Sequence, residues 1–110
     1  LAGDYVLKEV CNVARSRLRP DDILARYGGE EFAIILPETT TQGALRIGEE
    51  LRALIEEHEF IFEGETIKVT VSLGAAELTE TCDVTSFIKR ADNRLYAAKR
   101  GGRNRIDASS

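Results

Sequence analysis

Residues 23–36 read Ile-Leu-Ala-Arg-Tyr-Gly-Gly-Glu-Glu-Phe-Ala-Ile-Ile-Leu. Ile23 to Tyr27 and Phe32 to Leu36 are short apolar runs, and Gly28-Gly29 lies between them. Two β-prone runs joined through Gly-Gly predict a hairpin, because glycine tolerates the positive φ that tight hairpin turns require. Pro37 closes the second strand. Upstream, Val6, Leu7, Val10, Cys11, Val13, Ala14 and Leu18 recur at i, i+3, i+4, i+7, which predicts an amphipathic helix from Asp4 to Leu18 that Pro20 ends.

Downstream, Thr39 to Gln42 spells the T-x-x-Q of a capping box. The helix it would open carries Ala44, Ile47, Gly48, Leu51, Leu54 and Ile55 on one side and ends near His58. Phe60 to Phe62 is a short strand, and Glu63-Gly64-Glu65 a turn. Ile67, Val69, Val71 and Leu73 alternate with polar residues, the period of a strand. A last helix from Thr85 to Lys99 would turn Phe87, Ile88, Ala91, Leu95 and Ala98 inward and stop at Gly101-Gly102. Asn104 to Asp107 reads as a final edge strand. The order predicts one α+β domain over residues 1–110, with helices packed on a mostly antiparallel central sheet.

Composition narrows the partners. The chain has 110 residues, 43% hydrophobic and 31% charged, so it can bury a core and is not disordered. Fifteen Lys and Arg against 19 Asp and Glu leave a net charge of −4, which gives no bulk attraction to nucleic acid or an anionic membrane. No apolar run reaches the roughly 20 residues that span a bilayer, and direct membrane contact from this segment is not expected. Cys11 and Cys82 match no metal-ligand spacing, which points to unpaired thiols in a reducing compartment. The chain contains no methionine, so sequence upstream of Leu1 is expected.

The hairpin tip carries the chemistry. Two glycines let a phosphate approach the backbone, and two acids follow at once. Adjacent side chains on a strand point to opposite faces, so Glu30 and Glu31 have different surroundings. A carboxylate beside a phosphate-sized gap suits a hard divalent cation such as magnesium. A surface hairpin with two solvated acids accounts for the same residues.

Arg26-Tyr27-Gly28-Gly29-Glu30-Glu31-Phe32 resembles the signature of the GGDEF-domain diguanylate cyclases in its GGEEF form. Gly3-Asp4 with Val6-Leu7 is similar to the end of that family's G-H-x-x-G-D stretch. Val69-Thr70-Val71-Ser72-Leu73-Gly74 resembles its V-T-x-S-x-G strand, and residues 91–104 resemble its A-D-x-A-L-Y-x-A-K-x-x-G-R-N segment. The resemblance covers essentially the whole chain. It implies a nucleotidyl-cyclase, polymerase-palm-like fold that joins two GTP into cyclic di-GMP and releases pyrophosphate.

By matching position, Glu30 would be a magnesium (or manganese) ligand with a share in activating the attacking hydroxyl. Glu31 would be a supporting acid for a second metal. Gly28 and Gly29 would lie against the phosphates, Asp4 would accept hydrogen bonds from the guanine edge, and Lys99 and Arg103 would hold the terminal phosphates. Arg19 and Asp22 stand in the R-x-x-D relation of the family's inhibitory site, where cyclic di-GMP binds. Glu50 replaces an additional arginine of some members, and Arg46 lies one turn earlier. A symmetric product made from one GTP per domain implies a homodimer.

The resemblance also implies a preceding strand with a metal-binding aspartate, an asparagine for guanine, and a Gly-His, none of which this chain contains. The expectations are therefore a gapped or exposed sheet, inactivity of these 110 residues taken alone, and a parent that makes cyclic di-GMP in the cytoplasm, with any membrane anchor upstream. A catalytically inactive cyclic di-GMP- or GTP-binding module, and a dimerisation module, remain alternatives. So does an adenylyl-type cyclase or polymerase palm.

Overall fold

A computed structural model describes residues 2–26, 28, 31–79 and 83–108. Gly29, Glu30 and Cys82 lie outside the described residues. The elements run α1 (Ala2–Arg17), β1 (Ile23–Arg26), β2 (Phe32–Ile35), α2 (Thr41–Glu57), β3 (Phe60–Phe62), β4 (Glu65–Ile67), β5 (Leu73–Gly74), α3 (Val84–Arg100) and β6 (Ile106–Asp107). The expected order of helix, hairpin, helix, hairpin, helix and strand is the observed one, with β5 between the second hairpin and α3.

β1 and β2 pair antiparallel, with Leu24 opposite Ile34 and Ile23 opposite Ile35. The period of two gives this ribbon two faces. Leu24 and Ile34 pack with Leu18 and Leu36 on Ala14, Ile47 and Leu51 of α1 and α2. Ile23 and Ile35 face outward, 52% and 54% exposed. The second hairpin turns tightly. Phe62 pairs with Glu65, and the two residues between, Glu63 and Gly64, have φ of 52° and 82°. Positive φ at both central positions is the type I′ geometry that matches strand twist.

The strands do not merge into one sheet. Among the described residues they form three two-stranded ribbons, two antiparallel and one parallel. The expected continuous strand from Ile67 to Leu73 is broken: residues 68–72 join β4 to β5 without ladder pairing. Alternation specifies which side chains share a face; it supplies no partner, and an extended segment without one is not a strand. The α+β class stands, and the central sheet appears in pieces.

β5 and β6 lie parallel, Leu73 beside Ile106 and Gly74 beside Asp107, with α3 as the crossover. Helix and ribbon approach closely at Gly74. A β-carbon there would collide with the backbone of Ala91 and Leu95 in α3. Gly74→Ala is therefore expected to destabilise the domain by about 1–3 kcal/mol, read as a lowered denaturation midpoint at unchanged slope. An unchanged midpoint would show that α3 shifts freely. At Gly48 the obstacle is only the Ile106 side chain, which can rotate.

Two helical faces differ from expectation. Ile47, Leu51 and Ile55 are buried as predicted, whereas Leu54 is 42% exposed. In α3, Ala98 is fully buried, but Ile88 is 37% exposed. Each lies at the margin of an apolar stripe, where the neighbouring elements decide coverage.

The start of α2 also departs from its sequence signature. The N-cap is Thr40, whose side chain accepts from Gly43 N–H, so Thr39 and Gln42 do not form the capping box. A distant carboxylate serves the first turn instead: Glu77 accepts from Thr41 N–H and from the Thr41 hydroxyl, both at 2.8 Å. The Thr41 hydroxyl and then its backbone N–H hold the Glu77 carboxyl below the usual carboxylate range. A lowered native pKa contributes stability that is fully present above the unfolded value, about 4.3, and is lost as pH falls through the native value. Glu77→Gln should therefore melt lower than wild type at pH 7, and the gap should close below about pH 4. A gap independent of pH would refute the cap.

Candidate active site

The hairpin tip and the C-terminal end of α3 meet. Beyond Arg26 and Phe32 the ribbon continues by one bond, from Gly28 N–H to Glu31 C=O at 3.3 Å. Arg26 Nε donates to the Gly28 carbonyl at 3.4 Å. Glu31 Oε2 stands 4.0 Å from Lys99 Nζ, with the two side chains 44% and 40% exposed. The tip thus holds one cation and one carboxylate side by side. Among the described residues, a β-carbon on Gly28 would meet Glu31, at ordinary van der Waals distance.

The loop after α3 is built rather than loose. Gly101 N–H donates to Ala97 C=O, and Arg103 N–H to Ala98 C=O. Gly102, Arg103 and Asn104 then take positive φ values of 124°, 62° and 47°. Asn104 fixes this turn to α2, accepting from Arg52 Nη1 at 3.0 Å and donating to Glu56 Oε2 at 2.6 Å. Arg52 also binds Glu49 and Glu56 on its own helix. Those hydrogen bonds, first from Glu49 and then from Glu56, keep its guanidinium charged well beyond the usual range. The spacing of Glu49, Arg52 and Glu56 on one helix face was the sequence signal for this hub, and its link to Asn104 was not legible. Arg103 is exposed and follows Lys99 by one turn of chain.

Asp4 lies in the first turn of α1, in a cleft of about 380 Å³ between that helix and the first hairpin. Leu7, Leu24 and Phe32 supply apolar walls, with Lys8 and Arg26 at the margin. Arg26 lines the cleft and also binds the Gly28 carbonyl, so it joins cleft to tip.

Arg19 and Asp22 come together at the other end of the hairpin, where Ile23 faces Ile35. About 10 Å of ladder separates them from the tip. Arg19 N–H donates to Asp22 Oδ2 at 2.7 Å, and Arg19 Nη2 to Asp22 Oδ1 at 3.2 Å. Nη2 also reaches the Pro37 carbonyl and the Thr39 hydroxyl. Burial pushes the Asp22 carboxyl up, but these Arg19 bonds outweigh it and hold it below the usual carboxylate range.

A hard cation wants several oxygen ligands. Among the described residues no group of three His, Cys, Asp or Glu side chains gathers to hold one. Glu31 is the described carboxylate at the tip, and alone it does not make a metal centre.

Such an arrangement defines a class: an α+β domain whose glycine hairpin faces the cationic end of a helix. A family model described as diguanylate cyclase, GGDEF domain, matches residues 1–105, and the chain belongs to that family. It is 39% identical over 109 residues to diguanylate cyclase A of Treponema denticola, covering 98% of this chain and 29% of that protein. Against diguanylate cyclase DgcP of Pseudomonas aeruginosa it is 41% identical over 109 residues, covering 99% and 16%. The chain thus spans less than a third of either relative. Among solved structures, the GGDEF domain of DgcB from Caulobacter crescentus in complex with c-di-GMP superposes with a TM-score of 0.89 at 38% identity, over 96% of this chain and 63% of that one. Diguanylate cyclase SiaD of Pseudomonas aeruginosa, in complex with its activator SiaC, gives 0.90 at 34% identity, over 96% and 41%. No helix among the described residues is long and apolar enough to cross a membrane.

Proposed function

We propose that this domain is the catalytic unit of a cytoplasmic diguanylate cyclase, one half of a homodimer that condenses two GTP into cyclic di-GMP. Each 3′-hydroxyl attacks the α-phosphorus of the other GTP. One P–O bond forms, the bond to the β-phosphate oxygen breaks, the hydroxyl proton goes to a base, and pyrophosphate leaves. The observation that carries this reading is the Glu31–Lys99 juxtaposition at 4.0 Å, which sets a cation and a carboxylate together beside Gly28 at the hairpin tip. Lys99 and Arg103 take the departing pyrophosphate, and Asp4 accepts from the guanine edge in the cleft. Glu30 with Glu31 would hold magnesium or manganese, which when bound would supply positive charge to the phosphate oxygens. Cyclic di-GMP binds back at Arg19 and Asp22 and slows the enzyme.

A binding-only module is the second reading. It draws on the solitary described carboxylate at the tip. Incubation of the protein that carries this domain with GTP and magnesium separates the two: stoichiometric pyrophosphate and cyclic di-GMP support catalysis, whereas residues 1–110 alone are expected to give neither. Saturable nucleotide binding without either product would overturn it. The rate per domain should fall on dilution, because two domains must meet.

A further inference from the structure

α1 ends in Arg15-Ser16-Arg17, and the chain then passes through Arg19 and Asp22 into β1. Arg17 does not point freely into solvent. Its Nε donates to Glu50 Oε2 and its Nη2 to Glu50 Oε1, both at 2.9 Å. This two-pronged geometry is the one a guanidinium also makes with two oxygens of a phosphate. Asp22 links the two arginines. Arg19 bonds its carboxylate directly, and Arg17 acts on it through space. Arg46 acts in turn on the Glu50 carboxylate. The Arg17–Glu50 pair thus ties the end of α1 to α2 immediately before the loop in which Arg19 bonds Asp22.

We propose that Arg17 is a second phosphate-gripping arginine of the Arg19–Asp22 site, and that Glu50 is an internal competitor occupying it until a phosphodiester displaces the carboxylate. The inference rests on the reading of Arg19 and Asp22 as the cyclic di-GMP site. Glu50 suits the task because it is tethered: a carboxylate on the facing helix competes at an effective concentration of roughly millimolar or more. It is also displaceable. The Arg17 and Glu50 side chains are 31% and 40% exposed, and ion pairs in that setting are weak. The position that would strengthen the site as an arginine here weakens it as a glutamate, and the residue it weakens is one the R-x-x-D pattern does not include. Arg17 precedes Arg19 by two residues, at the end of α1.

The test is calorimetric titration of cyclic di-GMP into the protein that carries this domain, comparing wild type, Glu50→Gln, Arg17→Ala, the double variant and Arg19→Ala. Glutamine keeps the shape of Glu50 and removes its charge. Glu50→Gln should bind about two- to fivefold tighter. Arg17→Ala should bind about tenfold more weakly, and Glu50→Gln should confer no gain once Arg17 is absent. Melting curves establish that each variant is folded. Wild-type binding that Arg19→Ala abolishes, with Glu50→Gln equal or weaker, overturns this inference and leaves the site reading intact. No binding by wild type and Glu50→Gln alike, or binding indifferent to Arg19→Ala, overturns both.

Discussion

Lys99→Ala, in the protein that carries this domain, is expected to lower GTP turnover by roughly two to three orders of magnitude, the usual cost of removing one aligned donor from developing negative charge. The reason is local. Lys99 lies in the last turn of α3, ahead of the loop that carries Arg103, and its ammonium stands 4.0 Å from Glu31 at the hairpin tip. On the proposed reading the charge it meets is the pyrophosphate leaving group, so the loss should fall on kcat more than on substrate affinity. Lys99→Arg keeps the charge and should recover part of the rate. The folded state should hardly notice either change, since a half-exposed pair at 4.0 Å contributes little. Turnover of Lys99→Ala within a few-fold of wild type, at equal melting temperature, would remove Lys99 from the mechanism.

Phe60→Ala is the corresponding extreme for stability, with an expected loss of about 3–5 kcal/mol. Phe60 is fully buried, and only six hydrophobic residues among those described are buried at all. It packs edge-on against His58 at 4.7 Å between ring centres, and it pairs across the hairpin with Ile67. Truncation empties the space between the end of α2 and the second hairpin. A domain of this size holds about 5–15 kcal/mol in total, so the variant should sit close to its unfolding threshold. Urea denaturation measures the change, and a loss below about 1 kcal/mol would mean the site collapses around the smaller side chain.

The helices were legible because burial in them follows a local period. Ala14, Ile47, Leu51 and Ala98 fall where a 3.6-residue repeat puts them. The two hairpins were legible for the same reason, their glycines marking the turns. Long-range partnership was not legible. Thr41 and Glu77 are 36 residues apart, Arg17 and Glu50 33 apart, and no local pattern announces either pair. The break at residues 68–72 is of the same kind: the alternation of Val69 and Val71 is genuine, and pairing depends on what lies alongside. At the candidate site, motif resemblance supplied Glu31, Lys99, Arg19 and Asp22. It gave Asn104 only as a letter in a pattern, whereas its bonds to Arg52 and Glu56 hold the loop after Lys99 in place.

α1 is fastened at three heights. Near its start the Tyr5 hydroxyl accepts from Ile61 N–H, midway Glu9 meets His58 at 3.2 Å, and at its end Arg17 clasps Glu50. An α-helix is stiff over such a span, roughly 20 Å from Asp4 to Arg17. The helix therefore behaves as a beam on three supports, with Asp4 overhanging one end and the Arg19–Asp22 loop following the other. Loosening one end support leaves that end held only through the stiff helix by the two that remain, so a displacement there loads the middle and the far support.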